Sequence, residues 1–144
     1  MISKLVIILI FAPWLLGDVW WGIGMLLNEL LNHAWHHIFK SSSFAIRPHH
    51  AFNCNIFNKG GWMGGKPGFP SGHMSHTGMF FAYALLKYCK TYWWPWLILG
   101  SILATLGMGF SRFSKHCHTL LQIFVGLIIG ASIGAFWFFL QFYK

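Results

Sequence analysis

Several apolar runs in this chain approach the roughly 20 residues a helix needs to cross a bilayer. They constrain the fold more than any other feature. Only 8% of the 144 residues are charged and 56% are hydrophobic, whereas a soluble domain carries about a quarter charged residues. Trp and Tyr cluster near the ends of the apolar runs, as in the aromatic belts of membrane interfaces. The expectation is one integral membrane domain over residues 1–144, all-α, a polytopic bundle of about five transmembrane helices.

Residues 5–17 (LVIILIFAPWLLG) give a short first helix of about 20 Å at 1.5 Å per residue. They follow Lys4 as a signal peptide's core would, yet no A-x-A site comes after them. Residues 19–39 form a second helix with Glu29, His33, His36 and Lys40 at helical spacing. Its polar stripe reads as an interfacial face. Residues 40–71 are a polar loop whose glycines argue against regular structure and for a mobile cover. A third helix is expected from Gly72 to Cys89, a fourth from Trp96 to Phe110 and a fifth from Cys117 to Phe142. Gly126, Gly130 and Gly134 form a GxxxGxxxG ladder on the fifth, suited to close helix packing. Cys54, Cys89 and Cys117 show no CxxC spacing, so neither a disulfide framework nor a zinc site is expected.

The formal charge is +8 with two carboxylates, Asp18 and Glu29. A basic balance points to nucleic acid, anionic lipid or a phosphorylated substrate, and the apolar body excludes nucleic acid. Two spans separate the 40–71 loop from the connection at 111–116, which puts both on one membrane face. Three polar stretches lie there: KSSSFAIRP (Lys40 to Pro48), PSGH (Pro70 to His73) and SRFSKHCH (Ser111 to His118). Lys40, Arg47 and Arg112 would bring three cations together without a carboxylate, an arrangement that calls for an anion. Arginine's planar fork matches phosphate oxygens and lysine adds a point charge. Ser71 and Gly72 open the third helix, where free N–H groups favour anions. His73 is placed to exchange a proton, and His118 to attack phosphorus. Together these make a phosphoryl-transfer site without a metal or cofactor.

The three motifs resemble those of the type 2 phosphatidic acid phosphatases, relatives of the vanadium haloperoxidases, whose signature is K-x6-RP, PSGH and SR-x5-H-x3-D. The resemblance runs from Lys40 to Gln122. It implies His118 as a nucleophile passing through a phosphohistidine and His73 as general acid. Lys40, Arg47, Ser71, Gly72 and Arg112 would hold the phosphate. It also implies metal-independent hydrolysis of a lipid phosphate or diphosphate at the bilayer, with the site facing periplasm, lumen or exterior. The lysines outside the motifs (Lys4, Lys59, Lys66 and Lys115 against Lys87, Lys90 and Lys144) are too evenly divided to orient the chain.

One position departs from the pattern: Gln122 stands where the family has aspartate. Its carbonyl can still hold the His118 tautomer, but it supplies no charge, so Gln122→Asp is expected to raise turnover. Glu29 is expected too far down its helix to substitute, and Asp18 near the opposite face. His49, His50, His76 and His116 read as caps or solvated loop residues. Two rival readings remain. One is a phosphate-lipid binder that retains the cations without catalysis. The other is a di-iron oxygenase using the histidine runs His33-Ala-Trp-His36-His37 and His73 to His76, since imidazole suits iron.

Overall fold

The computed structural model describes residues 4–55 and 60–142, so Lys59 and Lys144 of the lysine comparison lie outside the described residues. Five α-helices follow in order: α1 (Leu5–Leu15), α2 (Val19–Ile38), α3 (Gly72–Lys87), α4 (Trp94–Ser114) and α5 (Leu120–Phe142). The all-helical expectation is met. Of these, α4 and α5 are long and apolar enough to cross a membrane, and only 22% of each apolar window is buried inside the molecule. A soluble protein's core helix would be mostly covered. Here Ile102, Leu106, Phe110, Phe124, Ile128 and Phe136 all point outward, a surface that suits lipid rather than water.

The centre of the bundle is α3, which packs on each of the other α-helices and most extensively on α5. The glycine ladder explains that pairing. A Cβ at Gly126 would lie 2.6 Å from the Ser71 carbonyl oxygen, and one at Gly134 would lie 2.5 Å from that of Met79. At Gly130 it would strike the Ser75 carbonyl. Only hydrogen side chains let the two backbones approach this closely.

Below the site, Val6, Met74, Met108 and Ile123 form one apolar cluster. Further down, Trp21, Met25, Met79 and Tyr83 belong to a second. Trp20 and Trp137 stack with centroids 4.5 Å apart. Each indole N–H donates to the other residue's carbonyl, at 3.2 and 2.8 Å, which joins α2 to α5.

Two helix limits that bear on the site differ from expectation. Helix α4 continues through Arg112 to Ser114, so Arg112 sits on a rigid element. Helix α5 begins at Leu120, so His118 lies in the turn before it. The larger correction concerns the 40–71 loop. Its described residues are pinned: a 3-10 turn spans Ser43–Ala45, and isolated antiparallel bridges pair Ile46 with Pro67 and Phe52 with Trp62. A disulfide joins Cys54 to Cys117, which the cysteine spacing does not indicate. The partners are 63 positions apart, and no local spacing announces such a bond.

Candidate active site

Arg47 reaches the site because its backbone is held on both sides. Its N–H donates to the Lys66 carbonyl (2.9 Å) and its carbonyl accepts from the Gly65 N–H (3.2 Å). The side chain then crosses Gly68, where a Cβ would come within 2.5 Å of Arg47 Cγ. Its Nε donates to the Pro67 carbonyl at 3.2 Å. One terminal nitrogen donates to the Cys117 carbonyl at 3.0 Å and to His118 Nε2 at 3.2 Å. Burial, with the Arg112 guanidinium nearby, pulls Arg47 down to about 10, so it stays cationic at neutral pH.

The contact with Arg47 defines the His118 tautomer. A guanidinium only donates, so Nε2 presents its lone pair and the proton is on Nδ1. That proton faces two acceptors, the Gly68 carbonyl at 2.9 Å and Gln122 Oε1 at 3.3 Å. Burial, then the positive surroundings of Arg47, His73 and Arg112, hold the imidazole well below its usual pKa despite the Gly68 carbonyl. The ring is therefore neutral at pH 7.

Gln122 is buried and fully engaged. Its Nε2 donates to the Phe44 and Ile46 carbonyls at 3.0 and 2.9 Å. Its Oε1 accepts from the Thr119 N–H at 3.3 Å as well as facing His118. Those four partners fix which end of the amide is which. The expectation that Gln122→Asp raises turnover is revised by this geometry. A carboxylate would lose both donor bonds and place negative charge against two carbonyls. Gln122 fastens α5 to the Phe44–Ile46 segment, and the shorter orienting contact to His118 is the Gly68 carbonyl, which the sequence did not reveal.

Arg112 is fully buried. One terminal nitrogen donates to the Cys54 carbonyl at 3.2 Å and to His73 Nε2 at 3.4 Å. Its Nε and other terminal nitrogen are buried without a hydrogen-bond partner, as is Ser71 Oγ. Orphaned buried polar groups are costly, and three of them on two phosphate-motif residues point to an absent ligand. The Ser71 amide is not among them, because it donates to the Gln122 backbone carbonyl at 3.1 Å. The hydroxyl, rather than that amide, is Ser71's free group.

The structure thus joins Arg47, Ser71, Gly72, His73, Arg112, His118 and Gln122 at one end of the bundle. Lys40 is the exception. It is exposed, and no hydrogen bond or ion pair ties it to the described residues. Sequence spacing placed it with the motif, but the helix end turns it outward.

A cavity of about 230 Å³ opens here, with Arg47, Gly72, His73 and His118 among its lining residues. Glu29, Asn32, His33, His36 and His76 also line it. Three members of the α2 stripe thus border the cavity, and the expectation of His76 as a cap or solvated loop residue is corrected. His76 is buried, its Nδ1 donating to the Gly72 carbonyl at 2.8 Å and its Nε2 lying 3.3 Å from Glu29. Glu29 therefore reaches the depth of the site, though its contact is with His76 and not His118. Among the described residues no three His, Cys, Asp or Glu side chains converge as metal ligands, and the histidine-run reading loses its geometric support.

The disulfide belongs to the same construction. Cys117 adjoins His118, and the two cysteine carbonyls are the acceptors that hold Arg47 and Arg112. Both cysteines are buried.

A family model described as the PAP2 superfamily matches residues 19–144. The chain belongs to that superfamily. No curated protein and no solved structure matches it. Membership in the PAP2 superfamily carries phosphatase-type activity and a membrane setting, and both agree with the outward apolar faces of α4 and α5.

Proposed function

We propose that this PAP2 protein hydrolyses a phosphate ester of a lipid through a phosphohistidine on His118, without a metal ion. The observation that carries the reading is the His118 imidazole. It is neutral, with its Nε2 lone pair beside Arg47 and its Nδ1 proton taken by Gly68. The orphaned donors of Arg112 and Ser71 supply the complementary argument, since equatorial phosphate oxygens would satisfy them.

In the first half-reaction Nε2 attacks phosphorus and the bond to the leaving oxygen breaks. His73 gives that oxygen a proton, and the alcohol departs. In the second half, water loses a proton to His73 and attacks the phosphohistidine, releasing phosphate and restoring both rings. A phosphate that takes up the Arg112 donor now shared with His73 Nε2 frees that nitrogen to hold a proton against the anion. Lys40, exposed as it is, has its place at the rim, where it would attract an anionic head group rather than grip the transferring phosphate.

The Cys54–Cys117 bond also supports a side for the site. Disulfides persist in oxidising compartments, so the cavity faces periplasm, lumen or exterior.

Phosphate release from lipid phosphates in detergent with EDTA tests the reaction. Wild type is expected to exceed His118→Ala by on the order of 10⁴-fold or more, with vanadate inhibiting. A second reading, binding without turnover, is favoured by the uncharged Gln122. Equal release by the two proteins would establish it in place of the enzyme.

A further inference from the structure

The walls of the cavity differ in hydrogen-bonding character. On the side of His118 they present donors, chiefly the guanidinium of Arg47. Opposite, the α2 wall presents acceptors. Asn32 Nδ2 is committed to the Asn28 carbonyl at 3.0 Å, which fixes the amide's orientation and leaves Oδ1 buried with no partner. Asn32 is only 4% exposed and lines the cavity. His36 Nε2 lies 2.9 Å from the Pro70 carbonyl and so carries its proton there, leaving Nδ1 as an acceptor. Glu29 adds a carboxylate whose Oε2 lies near His76 and whose side chain is 55% exposed.

We infer that this wall is a leaving-group subsite, selecting phosphomonoesters whose alcohol carries a hydrogen-bond donor, a hydroxyl or an ammonium, close to the ester oxygen. The inference rests on the phosphate site proposed above and narrows its substrate class. A donor near the ester would satisfy Asn32 Oδ1 and reach Glu29 while the phosphate lies against Arg47. A plain alkyl group would leave that buried acceptor unpaired, which is where discrimination of this kind arises. A diphosphate would press its second phosphate towards Glu29, so the wall selects against it. The cavity volume leaves room for a small head group beyond the tetrahedral anion.

The test measures binding of four soluble probes to the full-length protein in detergent by thermal protection: sn-glycerol 3-phosphate, O-phosphoethanolamine, n-propyl phosphate and pyrophosphate, with inorganic phosphate as reference. Propyl phosphate shares the three-atom chain of the first two but lacks their donors. Glycerol 3-phosphate or O-phosphoethanolamine is expected to bind about tenfold tighter than propyl phosphate, the size of one well-made hydrogen bond. Which of the two leads tells hydroxyl from ammonium. Glu29→Gln is expected to narrow the ammonium advantage most, and Asn32→Val the hydroxyl advantage. Propyl phosphate or pyrophosphate binding as tightly as the donor-bearing esters would overturn the subsite using wild-type protein alone. In that outcome protection by inorganic phosphate leaves the anion site standing. No protection by any probe, inorganic phosphate included, would overturn both.

Discussion

At the end of the bundle away from the cavity, the buried carboxylate of Asp18 has a partner of opposite sign. Asp18 caps α2 by accepting from the Trp21 N–H at 2.9 Å, and Lys87 lies 2.5 Å from its other oxygen. Tyr83 donates to Gln141 at 2.5 Å and approaches Asp18 at 3.4 Å. At the cavity end Arg47 and Arg112 share only carbonyls and imidazoles, and Arg112 keeps two nitrogens unsatisfied. Both ends bury polar groups between the same helices, so burial alone does not separate them. The separating feature is charge pairing. The Asp18–Lys87 ion pair holds helices together, whereas buried guanidinium groups without a carboxylate call for an anion.

The sharpest way to break this contrast is to remove fork geometry while keeping charge. Arg112→Lys retains a cation but cannot place several N–H groups in one plane. Phosphate turnover is expected to fall by about 10²–10³-fold, the cost of losing a preorganised donor to the transition state. Unimpaired turnover in this variant would mean that the orphaned nitrogens serve only structure.

A smaller loss is expected from opening the disulfide. Reducing the Cys54–Cys117 bond, in a Cys89→Ser background so that the remaining exposed thiol cannot confuse the result, frees the two carbonyls that aim the arginines. Misplacement by about 1 Å can cost up to roughly 10²-fold in rate. A drop of about 10-fold in kcat, with the helices still folded by circular dichroism, is the expected outcome. Full activity after complete reduction would show that helix packing aims the arginines unaided.

Much of this was legible in the sequence because it rests on local spacing. Helix periodicity, the glycine ladder and the three motifs all concern residues a few positions apart, and parity alone put the motifs on one face. What stayed hidden comes from contacts across long stretches of chain. The Cys54–Cys117 bond has no spacing rule. Gly68 orients His118 through its carbonyl, and any residue type carries one. The Glu29–His76 contact joins α2 to α3, and distance along a single helix misjudged it. Lys40 is the opposite case: its motif position is plain in the sequence, and the end of α2 turns it to the exterior.

Gln122→Asp now tests the cavity end with an effect of several-fold rather than orders of magnitude. The family's carboxylate would carry charge to the relay position, but here the amide nitrogen serves Phe44 and Ile46. Losing those two bonds costs about 1–3 kcal/mol when the carbonyls remain buried. The variant is expected to melt lower and turn over more slowly. Higher turnover at unchanged stability would restore charge as the missing ingredient.

The smallest effect on catalysis belongs at the opposite end, and it sharpens the contrast through its dependence on pH. Burial pushes the Asp18 carboxyl up, but the Lys87 ammonium, the Trp21 N–H and Tyr83 outweigh it and hold the group below its ordinary value. A depressed folded-state pKa makes the charged form a stabiliser. That contribution is complete above the unfolded carboxyl pKa of about 3.9 and disappears as pH falls through the lower folded value. Asp18→Asn keeps the oxygen that caps α2 and removes only the charge, so a loss of about 1 kcal/mol is expected at pH 7. Asp18→Ala also removes the cap, raising the loss to about 2 kcal/mol. The stability gap between wild type and Asp18→Asn should close below pH 4, while phosphate release at pH 7 stays the same in both. A fall in turnover matching that of Arg112→Lys would mean that the two ends of the bundle are coupled.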